Sequence, residues 1–260
     1  MHEQDGEPIL GNGTDHDPLY AGRPPFDKWK AETLKTEIKY QPAFATCTVS
    51  LQSGEQLRAE GGAMVAMRDV QIETGATGGL FKSLKRSILG GESFFQNTFT
   101  ANSNNAQVML APALTGDVMV REMNNEDLIV QSGAYLGSSM DIKVDTSWGG
   151  SRTFFGGEGL FMLRCSGSGI LIVGAYGAIH EETLGAGETF VVDSGHVVAF
   201  ESGMKYELNK FGSWKSTILG GEGVVITFTG PGQLYMQTRS QEAFLGWLIP
   251  QLPTRQGDTN

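Results

Sequence analysis

A short glycine-centred phrase returns along the chain: Ile88-Leu89-Gly90-Gly91-Glu92 reappears as Ile218-Leu219-Gly220-Gly221-Glu222, with a weaker copy between them at Phe155-Gly156-Gly157-Glu158. A second phrase recurs in step with it, as Gly54-Glu55 followed by Gly62, Asn125-Glu126 followed by Gly133, and Gly187-Glu188 followed by Gly195. Self-similarity at a regular interval marks a chain built from repeated supersecondary units. Leu51 to Met67 aligns without a gap on Leu184 to Phe200, with identities at Leu, Gly, Glu, Gly, Val and Ala. The two phrases keep their order. Each of three units is therefore expected to hold a hairpin around a Gly-Glu turn, a connector, and a Gly-Gly-Glu turn leading into a second hairpin.

Between the glycines lie short β-rich runs: Ala45 to Leu51, Phe94 to Thr100, Val118 to Met123, Leu160 to Cys165, Gly169 to Tyr176, Thr189 to Asp193, His196 to Glu201, Gly223 to Thr229 and Gln233 to Arg239. Strands at this spacing indicate an all-β sandwich or barrel. Ser166-Gly167-Ser168-Gly169 falls where a hairpin turn is expected. One late helix is predicted over Ser240 to Leu248, stopped by Pro250, with Phe244, Leu245, Trp247 and Leu248 as an apolar face that docks on the β body. The chain thus divides into a disordered acidic tail and lead-in (1–34), a single triplicated β domain (35–240, with repeats at about 35–115, 116–182 and 183–240) and a C-terminal helix and tail (241–260).

The glycines of both phrases are explained by turn chemistry, because glycine reaches positive φ without a Cβ clash. For Glu92, Glu158 and Glu222 two readings stand. Three carboxylates related by pseudo-threefold symmetry could converge on a cation. The preferred reading is structural: each glutamate accepts a hydrogen bond from a free backbone N–H in its turn.

Signatures of catalysis do not appear in the sequence. There is no Gly-x-Ser-x-Gly elbow, no phosphate loop and no dinucleotide fingerprint. The four histidines, His2, His16, His180 and His196, form no His-x-His or His-Glu-x-x-His pattern. His180-Glu181-Glu182 is the nearest approach to a metal site, but ligands must converge in space rather than in sequence. His196 is expected in a strand; Asp193 and Glu201 have Lys205 and Arg164 as candidate partners, but charges flanking strands are usually solvated rim, which is the preferred reading. Cys47 and Cys165 lack zinc or disulfide spacing and suit a reducing compartment. A net charge of −10, from 19 basic and 29 acidic residues, argues against nucleic acid as a partner. No cofactor or metal is expected, and the chain is read as a non-enzyme.

Gly78 to Gly91 holds the one distinctive surface motif. On a helix, Phe81, Leu84 and Ile88 share one face while Lys82, Lys85 and Arg86 share another, so this connector reads either as a basic amphipathic patch for anionic lipid or as a plug whose apolar stripe faces the core. The corresponding places, Ser147 to Arg152 and Lys210 to Lys215, lack the pattern. No apolar run approaches the roughly 18 residues of a membrane-spanning helix.

Ala59-Glu60-Gly61-Gly62-Ala63-Met64-Val65-Ala66-Met67, then Gly78-Gly79-Leu80, Lys85-Arg86, Gly90-Gly91-Glu92-Ser93-Phe94-Phe95 and Phe99-Thr100-Ala101, resemble the altered-inheritance-of-mitochondria protein 24 family, as do Gly230-Pro231-Gly232 and Gln237-Thr238-Arg239. The resemblance runs from about Lys35 to Ser240. It implies a fold like the tryptophan RNA-binding attenuation protein, a short double-stranded β-helix, repeated three times with pseudo-threefold symmetry. It carries over no catalytic residues. Scaffolding or assembly is therefore the expected role, through self-association or other proteins, with a membrane surface as the alternative partner and a small-ligand or enzymatic role behind both. The first 22 residues contain no Lys or Arg, so the expected location is cytoplasmic. The resemblance adds a mitochondrial one, for which no presequence is seen.

Overall fold

The alternation of apolar and polar residues in TCTVSL, Thr46 to Leu51, puts Cys47, Val49 and Leu51 on one buried face and their neighbours on the other, as a strand with one covered side requires. The same period of two recurs along the chain, and the fold follows from it. The computed structural model describes residues 34–74, 94–146, 154–155, 160–210 and 224–252. Within them the first strands are β1 (Lys35–Lys39), β2 (Thr46–Leu51), β3 (Gln56–Glu60), β4 (Met64–Arg68), β5 (Val70–Thr74), β6 (Gln96–Ala101) and β7 (Ala106–Leu110). Then come β8 (Val118–Gln131), β9 (Tyr135–Ser139), β10 (Lys143–Asp145), β11 (Phe154–Phe155) and β12 (Leu160–Gly174). The last are β13 (Ile179–Leu184), β14 (Thr189–Asp193), β15 (Val197–Glu201), β16 (Lys205–Lys210), β17 (Val224–Thr229) and β18 (Gly232–Gln237), followed by the helix α1 (Gln241–Leu248). Among the described residues the protein is mostly β-sheet with one short C-terminal helix.

The ladders between the described strands are antiparallel, and an isolated parallel bridge joins Gly116 to Gly177. In the first third β7 lies between β2 and β4, and β6 lies between β3 and β5. In the last third β18 lies between β13 and β15, and β17 between β14 and β16. In the middle the long β12 pairs along its length with the long β8, and takes β9 beside one half and β10 beside the other. A bulge skips Val65 in β4, Leu136 in β9 and Val198 in β15.

Two features correct the sequence reading. The Gly-Glu turns do not close hairpins: the turn at Gly54 carries the chain from β2, paired with β7, to β3, paired with β6, and Gly187 does the same between β13 and β14. They are corners between sheets. Nor does Ser166-Gly167-Ser168-Gly169 turn the chain back, because β12 runs straight through it with a register shift against β8 between Gly167 and Ser168. Gly167 (φ +128°) and Gly169 (φ +130°) hold backbone conformations that L side chains rarely adopt, and a Cβ on Gly167 would lie 2.5 Å from the Asp141 carbonyl oxygen. Glycine is needed there for a bulge rather than for a reversal.

Two further ladders link the thirds of the chain. β3 pairs with β9, setting Leu57 opposite Ser139, Arg58 opposite Ser138 and Ala59 opposite Gly137. β8 pairs with β15, setting Leu128 opposite Glu201, Ile129 opposite Phe200 and Val130 opposite Ala199. The core follows these junctions. One cluster joins Val49, Leu57, Phe99 and Val108 to Leu136, the next joins Tyr135, Leu163 and Val173 to Val198, and the third joins Phe200, Ile226 and Phe228 to Ile129.

α1 starts as expected, with the Ser240 hydroxyl accepting from the Ala243 N–H at 3.3 Å. Its docking is narrower than the apolar pattern suggests. Phe244 packs edge-on against Tyr176, with ring centroids 6.1 Å apart, while Leu245, Trp247, Ile249 and Leu252 stay exposed.

Candidate functional site

The basic candidates Phe81, Lys82, Lys85 and Arg86 lie outside the described residues, as do Gly90, Gly91, Glu92, Gly156, Gly157, Glu158, Gly220, Gly221 and Glu222. The second phrase is described in full. Gly54, Asn125 and Gly187 all have positive φ, at +85°, +51° and +81°. The Glu55 carboxylate accepts from the Gln52 N–H at 2.7 Å, and the Glu188 carboxylate accepts from the Gly185 N–H at the same distance. Each of these glutamates closes its own turn, the role expected of Glu92, Glu158 and Glu222, which lie outside the described residues. Glu126 departs from it.

Glu126 instead belongs to a polar cluster around Arg121 on β8. The Arg121 guanidinium donates to Glu126 at 2.8 Å, to the Gln233 side-chain oxygen at 2.7 Å and to the Tyr235 hydroxyl at 2.6 Å, and reaches Glu201 at 3.4 Å. Gln233 in turn donates to Glu181 at 2.7 Å. Burial works against the Arg121 charge, but the Glu126 hydrogen bond and the neighbouring Tyr235, Glu126 and Glu201 outweigh it, holding the guanidinium above its ordinary value. Burial likewise raises the Tyr235 phenol, against the pull of Arg121. A guanidinium engaged on both nitrogen arms by residues of β8, β15 and β18 is a clasp between strands, not a group free to meet a ligand.

The other charged candidates also find structural partners. Glu201 pairs with Arg121 rather than with Lys205 or Arg164, and Arg164 pairs with Asp127, whose carboxyl that hydrogen bond holds below its ordinary value. Asp193 accepts from the Gly195 N–H at 2.8 Å. His196 is not in a strand: it closes a 3-10 turn, Ser194–His196, with Nδ1 2.7 Å from the Gln237 carbonyl oxygen. The corner between β14 and β15 needs the turn before the strand can begin. His180 lies 3.4 Å from Glu182, and among the described residues no group of three or more His, Cys, Asp or Glu is arranged to hold a metal ion.

A cavity of about 440 Å³ opens where the thirds of the chain meet, lined by Gly61, Ala63, Pro112, Gly133, Gly174 and Tyr176 among others. Among the described residues Glu60 is the one carboxylate that lines it, and no His, Cys, Lys or Arg does. Acid–base or nucleophilic catalysis needs two such groups within reach of one another. The lining supplies no such pair.

What remains is surface. Val65 (55% exposed) and Met67 (46%) stand on β4, and Val191 (53%) on β14. Each strand has one described neighbour, β7 for β4 and β17 for β14, so each is a sheet edge among the described residues. Edge strands with exposed apolar side chains are templates for further pairing.

The family profile described as mitochondrial biogenesis AIM24 matches residues 36–239. The chain belongs to the AIM24 family. It is 31% identical over 230 residues to an uncharacterised protein of Streptococcus pyogenes serotype M6, covering 85% of this chain and 92% of that protein. It is also similar to the X-ray crystal structure of another S. pyogenes protein, with a TM-score of 0.69 and 28% identity over 84% of this chain and 100% of that one. The AIM24 family description carries a mitochondrial association, and among the described residues no helix is long and apolar enough to cross a membrane.

Sequence reasoning missed the Arg121 clasp and both edges of this AIM24 chain. The clasp joins residues more than a hundred positions apart, and no local spacing announces it. The edges had no local signal: Met64 to Arg68 aligns with Val197 to Glu201, yet among the described residues β15 has a neighbour on each side and β4 on one side only.

Proposed function

We propose that this AIM24 chain is a non-enzymatic assembly module whose working surfaces are sheet edges. Its body is read as three tandem β units of the kind found in the tryptophan RNA-binding attenuation protein, about 35–115, 116–182 and 183–240, related by pseudo-threefold symmetry. The matched bulges at Val65, Leu136 and Val198 and the positive φ shared by Gly54, Asn125 and Gly187 support that reading. The observation that carries the functional reading is the placement of exposed Val65, Met67 and Val191 on strands that are sheet edges among the described residues. Apolar side chains on unpaired edges favour protein over small-molecule partners. The surplus of acidic residues keeps nucleic acid out of the partner list.

Sedimentation velocity of the full chain over a hundredfold concentration range tests self-association. A weight-average mass that rises with concentration is expected. A single monomeric species throughout would overturn self-association as the function of these edges.

A further inference from the structure

The three bulged strands begin on equivalent pairs: Met64 lies opposite Leu110, Tyr135 opposite Val173 and Val197 opposite Met236. The residues that follow Leu110, Val173 and Met236 are Ala111, Gly174 and Gln237, and all three line the cavity of about 440 Å³. Only Gln237 brings a polar side chain. Its amide is held at both ends: Oε1 accepts from the Tyr176 N–H at 2.9 Å, and Nε2 donates to the Gly195 carbonyl oxygen at 2.9 Å. One sector of the cavity wall is therefore completed by a primary carboxamide that bridges a backbone donor and a backbone acceptor.

The neighbouring sector has the same backbone and lacks the amide. Counted along each unit from the paired residues, Ala113 takes the place of Tyr176, and Gly133 takes that of Gly195. Both line the cavity and both are exposed, whereas Tyr176 and Gly195, beside Gln237, are half-buried. Gly174 stands where Gln237 stands in the next unit, and it cannot supply the missing group, because a Cβ there would lie 2.9 Å from Pro112 Cγ. The remaining sector is closed differently: the Arg239 N–H, in the place of the Tyr176 N–H, already donates to the Tyr176 carbonyl at 3.2 Å. A Cβ on Gly133 would meet nothing within 4 Å, so neither packing nor a positive φ calls for glycine there, and its effect is to keep the sector open.

We propose that the sector between Ala113 and Gly133 binds a neutral primary carboxamide carried on an apolar group, its oxygen accepting from the Ala113 N–H and its NH2 donating to the Gly133 carbonyl, as the Gln237 amide does one unit further on. The proposal rests on the three-unit reading above and not on assembly through sheet edges. Charge selects the amide over the corresponding acid: among the described residues Glu60 lines the cavity and no His, Lys or Arg does, so a carboxylate would meet a like charge and no cation. Leu136, Phe161 and Tyr176 line the same space and suit the apolar part of the ligand. A free small amide and the glutamine side chain of a peptide both carry this chemistry, and the arms of the test separate them.

The test titrates the full-length chain with benzamide in one arm and N-acetylglutamine methylamide in the other, and follows binding by saturation-transfer NMR. Benzoate and acetophenone are the controls for the first arm and N-acetylglutamate methylamide for the second, since each keeps the rest of the ligand and loses the neutral NH2. Saturable binding of an amide is expected, with its controls at least about tenfold weaker because they leave a hydrogen-bonding group of the sector unpaired. Gly133→Leu places its side chain in the open space and should bind at least about tenfold more weakly while keeping a native circular dichroism spectrum, with Gly133→Val as the milder replacement should it fail to fold. Whichever amide binds more tightly identifies the source, and either supports the proposal. No saturable binding of either amide, a control that binds as tightly as its amide, or a natively folded Gly133 variant that binds at wild-type strength overturns it. Sheet-edge assembly stands or falls separately, by sedimentation.

Discussion

Replacing Tyr135 by Phe removes one oxygen from the start of β9, where its hydroxyl reaches Ser138 of the β3–β9 ladder and Gln96 of β6, and tests how tightly that packing is specified. Tyr135 is fully buried; its hydroxyl lies 2.9 Å from the buried Ser138 Oγ and accepts from Gln96 Nε2 at 2.8 Å. Burial raises the phenol well above its ordinary value, against the hydrogen bonds of Ser138 and Gln96, so the group is neutral at any working pH. The ring and its edge-on contact with Phe94, at 5.3 Å between centroids, survive the substitution. The loss is therefore a hydrogen-bond loss. Gln96 is partly exposed and can turn to water, but Ser138 cannot, and leaving a buried hydroxyl without its partner costs about 1–3 kcal/mol. For a domain of this size that is a fall in Tm of about 2–12 °C, at roughly 2–4 °C per kcal/mol. Ser138→Ala should cost a similar amount by stranding the phenol. The double variant should cost much less than the sum, because two apolar groups replace a matched polar pair, giving a coupling of about 1 kcal/mol or more. Urea unfolding of the four proteins measures the cycle. A Tyr135→Phe variant within about 0.5 kcal/mol of wild type, or strictly additive single variants, would refute the junction as described.

Other consequences are more local. Asp127→Asn should lower stability at neutral pH by about 0.5–1 kcal/mol, since its Arg164 partner is partly exposed and screened. Because that hydrogen bond depresses the Asp127 value, its stabilisation is present above the unfolded carboxyl value near 4 and is lost as pH falls through the lower folded value; wild type and variant should converge in acid-unfolding curves there. Cys47 and Cys165 are buried, with burial pushing their thiols up to about 11 and about 12, so a thiol reagent at pH 8 should label neither until denaturant is added; prompt labelling of native protein would contradict their burial. Gly116→Ala should destabilise by about 3 kcal/mol, because its Cβ would sit 1.7 Å from the Ala175 carbonyl oxygen, whereas Gly54→Ala meets open space and loses only about 1–2 kcal/mol to its φ of +85°. Equal effects in thermal denaturation would show that backbone conformation alone, not the close approach at Gly116, sets the cost.

Much of the fold could be read from local pattern. Thr189 to Asp193 is a strand at the bounds expected, and the runs ending at Leu51 and Thr229 and the helix begun by Ser240 differ only at one end, because period-two burial and a capping hydroxyl are local signals. The corners were misread because Gly54 and Gly187 adopt positive φ whether the next strand turns back on its own neighbour or passes to another sheet; only the distant partner distinguishes the two. The same limit applies at Gly167 and Gly169, where bulge and turn call for the same residue. His196 falls just short of β15 because the Ser194–His196 turn uses the three residues before it. The candidate edges were the least legible. MVAMR, Met64 to Arg68, and YLGSS, Tyr135 to Ser139, both read as strand, and whether such a strand is covered depends on a neighbour that its own sequence does not name.

The most direct test of assembly through sheet edges is sedimentation velocity of the full chain beside the variants Met67→Glu on β4 and Val191→Glu on β14, at concentrations where the wild type associates. Both variants are expected to keep a native circular dichroism spectrum and to associate at least about tenfold more weakly than the wild type. A wild type that stays monomeric, or variants that associate at wild-type strength, would contradict edge-mediated assembly.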